Sequence, residues 1–331
     1  MGATFACLGE LLVRLAAPGR ERLLQSRSLD VVFGGAEANV AVMLARLGHH
    51  ARMGSVVPAN ALGAAVVSEL RGQGVDVSTI ATAAGRMGLY FLSHGAVNRP
   101  SQVLYDRAGS AFATVPDRVD LTDLLTGAQW LHLSGITPAV SAAASAVAQQ
   151  AVAAAQAQGI RVSFDGNYRA QLWQGWHGDG PAVLADLLRT ADVAFINELD
   201  IALILGTGPL TRPEALKLAF ETFPQLQLIA TTERNLANPA VQTLQGALYR
   251  RGSQALSPVH SLAGVVDRIG SGDAFAAGVL HGLATGLGDQ EAVDFATAAA
   301  ALKHSIPGDF NLVDEAEIRE AMEGGQRDVR R

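Results

Sequence analysis

Residues 267–275, with the sequence DRIGSGDAF, combine two glycines with a carboxylate at the start of a predicted helix. Gly270 and Gly272 leave backbone N–H groups open at the helix N-terminus, which makes the turn a suitable site for an anion. Asp273 would accept a proton from a hydroxyl while these N–H groups neutralise developing negative charge, and this pairing suits phosphoryl transfer to an alcohol. The alternative is that Asp273 only stabilises the helix dipole as a first-turn acid.

Polar residues also follow three predicted strands, at the end of a parallel sheet where ligands bind. Each group alone is best interpreted as a helix cap, since Ser, Asp and Asn are the preferred capping residues. Three such groups at one end of a sheet favour a binding site. They are Ser134 with Gly135, Asp165 with Gly166 and Asn167, and Asn197 with Glu198.

The elements that must position these residues alternate between apolar strands and helices. Strands that are apolar on both faces and alternate with helices indicate an α/β fold, with a mostly parallel central sheet covered by helices on both faces. Val265 and Val266 are strand-like before the glycine turn, and residues 231–252 are the least regular region, with turns marked by Asn235, Asn238 and Pro239. The predicted strands are 4–9, 130–135, 161–165, 193–197 and 226–231, and the predicted helices are 139–157, 181–189, 198–205, 213–222 and 274–283.

Two segments interrupt the alternation of strands and helices. Residues 11–33 and 87–112 are rich in turn residues and contain period-two patches such as residues 89–92. They predict a small β-sheet lid inserted in a single domain that covers residues 1–331, because no repeat or low-complexity linker divides the chain.

The composition excludes several classes of protein. Of 331 residues, 49% are hydrophobic and 17% are charged, so the chain has enough apolar material for a core and is not disordered. A net charge of −6 without a basic run argues against nucleic-acid binding. Cys7 is the only cysteine, which favours a reducing, cytoplasmic location. The N-terminus does not resemble a signal peptide, and residues 139–157 are too polar to span a bilayer, so no membrane association is expected.

Two glycine-containing motifs, far apart in the chain, resemble the signatures of one enzyme family. Residues 34–41 (GGAEANVA) are similar to the N-terminal motif of the ribokinase-like, or pfkB-type, carbohydrate kinases, and residues 267–275 are similar to their C-terminal signature. The resemblance covers the whole chain and implies a ribokinase-like fold, ATP with Mg²⁺ as phosphoryl donor, and Asp273 as catalytic base. An ordinary aspartate is a weak base at neutral pH, so positioning would dominate catalysis. The implied anion hole consists of Gly270, Ser271 and Gly272.

Three further strings resemble one branch of that family, the 2-keto-3-deoxygluconate kinases. The substrate of this branch carries a carboxylate, which Arg107 and Arg169 could hold through charge-assisted hydrogen bonds. The resemblance implies phosphorylation of 2-keto-3-deoxygluconate at its terminal hydroxyl, which gives the 6-phosphate for an Entner–Doudoroff-type breakdown of sugar acids. Arg268 after Asp267 also fits this branch. The three strings are residues 105–111 (YDRAGSA), 165–169 (DGNYR, followed by Leu172 and Trp173) and 303–309 (KHSIPGD).

The same resemblance implies further contacts with the substrate, in addition to Asp273. Gly34 and Asn39 would meet the sugar hydroxyls, with Gly35 beside them in the turn. Tyr90 and Tyr105 would cover the sugar from the lid. For Gly35 the alternative is a glycine that only permits the turn, and for both tyrosines it is packing within the lid sheet.

Nucleotide and ion contacts are also implied by the resemblance. Asp200 would reach Mg²⁺ through water, because an aspartate replaces the glutamate of the family's Asn-x-x-Glu element. Many relatives carry a Thr-x-Gly-x-x-Gly turn after the strand that here ends at Thr231, whereas this chain continues with the glycine-free residues 233–238 (ERNLAN). A monovalent cation near residues 303–309 is left open. The implied nucleotide contacts are Asn197, Thr231, Gly270, Gly272 and His304.

Several alternatives compete with this interpretation. Within the class, the alternative is a kinase for another sugar or sugar acid, such as fructose or keto-deoxygalactonate, although a neutral sugar needs no arginine pair. Outside it, a non-catalytic sugar-acid sensor on the same fold would gain little from an intact glycine turn. A dehydrogenase is disfavoured because Gly9 opens no Gly-x-Gly-x-x-Gly turn, and a zinc site because the histidines lack partners at ligand spacing. A homo-oligomer is expected, since the lid of this family often pairs between subunits.

Overall fold

The structure is a computed structural model that describes residues 2–96, 99–235 and 242–324. None of the helices in these residues is long and apolar enough to cross a membrane. The strands are β1 (Thr4–Leu8), β2 (Leu12–Ala16), β3 (Asp30–Gly34), β4 (His50–Pro58), β5 (Ile80–Ala83), β6 (Gly88–Ser93), β7 (Gln102–Asp106), β8 (Trp130–Ser134), β9 (Arg161–Asp165), β10 (Val193–Phe195), β11 (Leu228–Asn235), β12 (Gln242–Arg250), β13 (Ser253–Leu256) and β14 (His260–Leu262). The helices are α1 (Ala36–Arg46), α2 (Ala61–Gly72), α3 (Ala111–Thr114), α4 (Leu121–Leu125), α5 (Ile136–Ala139), α6 (Ala142–Ala157), α7 (Ala170–Gln174), α8 (Gly180–Leu188), α9 (Glu198–Leu205), α10 (Arg212–Thr222), α11 (Ser271–Thr285), α12 (Asp289–Lys303) and α13 (Glu315–Met322), with a 3₁₀ turn at Pro116–Arg118.

A ten-stranded sheet forms the centre of the molecule, with the order β13-β12-β11-β10-β9-β8-β1-β4-β5 and with β14 paired to β12. The strands from β11 to β5 in this order are parallel, and β12 to β14 add antiparallel pairs at one edge. Successive side chains of β1 point to opposite faces: Phe5 and Cys7 join one core cluster, whereas Ala6 and Leu8 join the other. Helices bury both faces, so the predicted fold class is confirmed.

Helices α1, α11 and α12 cover one face of the sheet, and α6 and α8 cover the other. The pair α11 and α12 packs closely because Gly278 has no side chain: a Cβ there would lie 2.6 Å from the Cα of Ala296. This contact helps to fix α11, which begins at Ser271 and carries Asp273 in its first turn. The glycine turn therefore rests on a rigid helix pair.

A second sheet, with the order β3-β2-β6-β7, forms a lid beside the main sheet. Strand β2 pairs antiparallel with β3 and parallel with β6, and β6 pairs antiparallel with β7. The segments 11–33 and 87–112 contain these four strands, apart from Gly34 at the end of β3. Phe112 belongs instead to α3 and is buried in the core of the main sheet.

Two local predictions are wrong. Val265 and Val266 form no strand, because the N–H of Val266 donates to the His304 carbonyl at 2.8 Å instead of to a neighbouring strand. The described residues of 231–252 are not irregular, because β11 continues to Asn235 and pairs along its length with β12. The predicted turn residues Asn238 and Pro239 lie outside the described residues.

Candidate functional site

A cavity of about 380 Å³ lies between the lid and the carboxyl ends of the main-sheet strands. Its walls come from the lid strands, the start of α1, the loop after β9 and the turn that begins α11. This arrangement brings together most of the substrate-side residues that the sequence predicts. Those that line the cavity are Gly35, Asn39, Tyr90, Tyr105, Arg107, Arg169, Gly270, Ser271, Gly272 and Asp273.

The turn that begins α11 presents backbone N–H groups to this cavity. Gly270 adopts a φ of +81° as the N-cap, and a Cβ there would lie 2.0 Å from the carbonyl oxygen of Asp309, so the position requires glycine. The first intrahelical bond joins the N–H of Ala274 to the Gly270 carbonyl at 2.9 Å. The N–H groups of Gly272 and Asp273 precede that bond and are free to bind an anion.

Asp273 lies beside this turn, held by a side chain from α1. The Asn39 Nδ2 donates to Asp273 Oδ2 at 2.6 Å. Burial raises the pKa of Asp273 to about 7. The hydrogen bond from Asn39 lowers this pKa, whereas the negative charges of Asp309 and Glu37 add to the increase. The sequence gives no sign of this shift, which makes Asp273 a better base at neutral pH than an ordinary aspartate.

Only one of the three strand-end groups contributes to the cavity. Asp165 and Asn167 line it after β9, and burial together with Asp273 and Asp200 raises the pKa of Asp165 to about 8. Ser134, after β8, instead donates its N–H and its hydroxyl to Glu37 Oε1, each at 2.8 Å. The third group, at Asn197, caps α9.

Arg107 is buried in the wall of the cavity. Its Nε donates to Glu10 Oε2 at 2.7 Å, and the Ser110 hydroxyl holds the other oxygen of Glu10. The Arg107 Nη1 and Nη2 atoms are buried and have no hydrogen-bond partner among the described residues. Buried guanidinium nitrogens are rarely left unpaired, so these two are available to a ligand in the cavity.

Arg169 lies at the exposed rim of the same cavity. Its Nη1 donates to the carbonyl of Tyr168 at 2.9 Å, and it has no ion pair among the described residues. Its positive charge lowers the pKa values of Asp165, Asp200 and Asp273 against the larger effect of burial. The two predicted arginines therefore face one cavity from different sides.

Tyr90 combines packing in the lid with a polar contact. It lies in the small apolar cluster of the lid, and its hydroxyl donates to the carboxylate of Asp309 at 2.6 Å to Oδ2. Arg14 from β2 bridges two acids, with Nη1 3.0 Å from Asp309 Oδ1 and Nη2 2.5 Å from Asp267 Oδ2. This buried network ties the lid to the loop before α11.

Two glycines at the start of α1 make space for neighbouring groups. Gly34 does not line the cavity, but a Cβ there would lie 2.1 Å from Asp309 Oδ2. Gly35 adopts a φ of +150°, and its Cβ would lie 2.5 Å from the carbonyl oxygen of Glu10. Gly34 therefore makes room for the Asp309 carboxylate, and its contact with the substrate stays a prediction.

The predicted nucleotide residues outside the glycine turn do not line this cavity. Asn197 and Asp200 form the capping box of α9, in which Asn197 Oδ1 accepts from the N–H groups of Leu199 and Asp200. Thr231 and Asn197 line a narrow crevice with Arg212. None of these contacts involves the glycine turn.

His304 lines a second cavity of about 440 Å³, formed by residues 259–265 and the end of α12. Its Nδ1 lies 2.7 Å from the carbonyl oxygen of Ala300, and burial lowers its pKa to about 4, so the ring is neutral. The His304 carbonyl accepts from Val266 and Asp267 at 2.8 and 3.3 Å. The segment 265–268 therefore separates this second cavity from the first.

Lys303 places a buried ammonium group beneath the glycine turn. The side chain is fully buried, its Nζ donates to the Ile306 carbonyl at 2.9 Å, and a Cβ at Gly270 would lie 3.3 Å from the Lys303 Cε. Burial lowers the pKa of Lys303, while Asp267 and Asp309 act in the opposite direction. This positive charge lies in residues 303–309, near which the sequence leaves undecided whether a monovalent cation binds.

Several site residues carry no assigned role at the level of sequence. Glu10 is a charged residue directly after the apolar strand β1, which is a usable signal. Asp309 ends one of the family-like strings, and Arg234 lies within the glycine-free residues 233–238. Their partners depend on distant parts of the chain. The missed residues are Glu10, Arg14, Arg234, Arg268 and Asp309.

Comparison with known proteins gives consistent matches over the full length. The model of the pfkB family of carbohydrate kinases matches residues 3–314. A Haloferax volcanii protein named 2-dehydro-3-deoxygalactonokinase is 33% identical over 100% of both chains. A Bacillus subtilis protein named 2-dehydro-3-deoxygluconokinase is 31% identical over 89% of this chain and 87% of that protein. The crystal structure of the Thermotoga maritima 2-dehydro-3-deoxygluconokinase superposes with a TM-score of 0.91 at 34% identity, covering 98% of this chain and 99% of the other.

Proposed function

Because the chain belongs to the pfkB family of carbohydrate kinases, we propose that it transfers the γ-phosphoryl group of ATP to the terminal hydroxyl of 2-keto-3-deoxygluconate. The product is the 6-phosphate, which an Entner–Doudoroff-type aldol cleavage would consume. The observation that carries the proposal is Arg107, whose buried Nη atoms lack partners in the wall of the cavity that also contains Asp273. A carboxylate on the substrate would satisfy both atoms through a bidentate contact.

The chemistry of the site follows from the groups around Asp273. Asn39 orients the Asp273 carboxylate, which accepts the proton as the substrate hydroxyl oxygen bonds to the γ-phosphorus. The bond from that phosphorus to the bridging oxygen breaks, and ADP leaves with the bond's electron pair. The N–H groups at Gly272 and Asp273 stabilise the charge on the transferred group. The lid strands contribute Tyr90 and Tyr105 to the wall of the cavity on the substrate side.

The donor-side residues fit ATP with Mg²⁺. The second cavity, beside His304, suits an adenine ring because its walls are largely apolar and rich in backbone groups. Mg²⁺ bound to phosphates keeps several waters and takes one or two protein carboxylates, so it needs no cluster of three ligands, and the described residues contain none. Burial raises the pKa values of Asp165 and Asp200, so a cation bound nearby would stabilise their ionised carboxylates. Mg²⁺ would supply neutralising charge on the phosphates, with Asp200 reaching it through water.

The galactonate epimer is the second candidate substrate. The Haloferax volcanii relative that aligns with the entire chain is named for it. The two epimers share the carboxylate and the terminal hydroxyl, so Arg107 and Asp273 would serve either one. Fructose has no carboxylate to satisfy the unpaired nitrogens of Arg107, and a purely binding function would leave the glycine turn and the Asp273 beside it without a use.

Further predictions from the sequence concern the whole chain. We propose that residues 1–331 form one domain with the lid inserted, and that the protein acts in the cytoplasm. A homo-oligomer is supported by Val31 and Leu104, which are 56% and 57% exposed on the lid strands and offer an apolar surface to a second copy.

The test of the substrate assignment uses conservative changes of the two arginines. Arg107→Lys keeps a positive charge beside Glu10 but loses the two guanidinium Nη donors that would bind the carboxylate. Arg169→Gln removes an exposed positive charge that has no buried partner. Each should raise the KM for 2-keto-3-deoxygluconate by about tenfold, the value of one charge-assisted hydrogen bond, and leave the KM for ATP unchanged. Arg189→Gln, at a 58% exposed site paired only with Asp186, is the control. An unchanged sugar-acid KM in both variants would refute the assignment.

A further inference from the structure

Two arginines outside the sugar-acid contacts meet at the glycine turn. Arg234, at the end of β11, places its Nη2 2.5 Å from the hydroxyl oxygen of Ser271. Arg268, in the segment just before the turn, donates from Nη2 to Gln242 Oε1 at 2.5 Å. Both line the first cavity together with Gly270 and Gly272. The open end of α11 is thus flanked by two guanidinium groups.

Neither arginine has an acidic partner in the part of the chain that the structure describes. Arg234 and Arg268 are exposed at the cavity, whereas the buried Arg14 and Arg107 are neutralised, Arg14 by Asp267 and Asp309 and Arg107 by Glu10. Partial desolvation and the neighbouring charge of Arg268 both lower the pKa of Arg234, and the second of these effects means that the two cations repel each other. Paired guanidinium groups without a counter-charge are stabilised when an anion binds between them.

The position of the pair indicates which anion this is. Arg268 belongs to the segment 265–268 that separates the two cavities, and Arg234 reaches the turn next to Asp273. A ligand with a flat apolar end in the second cavity and a chain of phosphates that ends at the glycine turn would run along the segment that carries Arg268 and end at the turn that Arg234 contacts. The sugar-acid carboxylate is held elsewhere, because Arg107 approaches from the lid beside Glu10.

We propose that Arg234 and Arg268 form a clamp for the polyphosphate chain of the nucleoside triphosphate donor. The side chain of Arg234 then supplies the contacts that a glycine-rich turn after β11 would supply from its backbone. This inference rests on the proposed function only in taking the bound polyphosphate to be that of the phosphoryl donor, ATP. The clamp itself predicts binding of any linear polyphosphate, with or without a sugar acid.

The test measures binding and turnover separately in Arg234→Gln and Arg268→Gln, with Arg189→Gln as a matched control at an exposed site. Calorimetric titration with inorganic tripolyphosphate, in the absence of sugar, should give about tenfold weaker binding in each clamp variant, as expected for a lost charge-assisted hydrogen bond. The KM for ATP should rise by a similar factor, and the KM for the sugar acid should stay constant. Arg234→Lys retains the positive charge and should recover part of the lost tripolyphosphate binding. This variant also controls for misfolding of Arg234→Gln.

Three results would overturn the clamp. In the first, the wild-type protein binds no tripolyphosphate. In the second, the clamp variants bind tripolyphosphate as tightly as the wild type does. In the third, the clamp variants change only the KM for the sugar acid, which would assign the two arginines to the substrate carboxylate. If the wild type phosphorylates no sugar acid, the proposed function fails, yet the tripolyphosphate titration still decides the clamp. The two failures are therefore distinguishable.

Discussion

At the scale of single residues, the surroundings of Asp273 determine how well its carboxylate works as a base. Burial raises its pKa to about 7, while Asn39 holds one oxygen at 2.6 Å. A base is most effective when its pKa lies near the operating pH, so this environment favours proton transfer at neutrality. Burial and the negative charge of Asp273 raise the pKa of the neighbouring Asp165 to about 8.

Replacement of Asp273 by Asn should lower kcat by about a thousandfold, within the range of a lost general base. In the wild type, kcat/KM should rise with pH and level off above about pH 7, because only the ionised carboxylate accepts the proton. Steady-state rates across the neutral range measure both effects. A pH-independent rate, or a variant with near-normal turnover, would show that Asp273 is not the base.

The same variant should gain stability while it loses activity. The folded-state pKa of Asp273 lies above that of an unfolded aspartate, so the folded state binds more protons and loses stability as the pH rises towards 7. Asp273→Asn removes this cost, so its Tm should exceed that of the wild type at pH 8 and approach it in acid. Asp186→Asn, at an exposed site, is the control for calorimetry. A Tm lower than that of the wild type for Asp273→Asn at pH 8 would contradict the claim that the ionised, buried Asp273 carboxylate destabilises the folded state.

Single residues also show how far the sequence predicts the site. Asp273 and Arg107 could be identified because each stands within a short motif. The charges that surround them could not, because Arg14 and Asp309 are 295 positions apart and meet only through the fold. The raised pKa of Asp273 has the same origin, since burial by distant elements produces it.

At the scale of elements, the end of α12 and the loop to Asp309 support the glycine turn from below. Lys303 ends α12 and fixes the loop by donating to the Ile306 carbonyl. Its ammonium group lies near Asp267 and Asp309, and so balances the acids under the anion site. A fixed positive charge in this loop can perform the electrostatic task of a bound monovalent cation.

We therefore expect catalysis without potassium. At equal ionic strength, the wild-type kcat in potassium chloride should match that in tetramethylammonium chloride to within about twofold, since the Lys303 charge is built into the chain. Lys303→Met removes that charge at similar volume and should lower kcat. Activation of the wild type by potassium of tenfold or more would show that the loop binds a cation in addition to Lys303.

The edge of the main sheet illustrates why some elements escape prediction. Residues 231–252 contain turn-forming residues and predict little regular structure, yet β11 and β12 pair from Ile229 with Tyr249 to Asn235 with Thr243. Burial of Leu244 and Leu248 in the core cluster beneath α12 stabilises this hairpin. Tertiary packing thus overrides the local preference, and it also carries Arg234 to the glycine turn.

At the scale of the whole molecule, a rigid parallel sheet and a small lid enclose the site between them. Strand and helix alternation predicted the main sheet, because strands with two buried faces have a recognisable composition. The segments of the lid were also predicted, but not the parallel pairing of β2 with β6, which joins residues about 75 positions apart. That pairing places Tyr90 and Arg107 opposite Asp273, so the complete site depends on long-range topology.

The central claim is that this enclosed site phosphorylates a sugar acid, and coupled ADP release with MgATP tests it most directly. The panel consists of 2-keto-3-deoxygluconate, its galactonate epimer, gluconate, fructose and ribose. We expect strong turnover with 2-keto-3-deoxygluconate, weaker or comparable turnover with the epimer, and at least a hundredfold lower kcat/KM for the neutral sugars, since they leave Arg107 unpaired. Preferred turnover of fructose or ribose, or tight binding of an acid without any turnover, would contradict this claim.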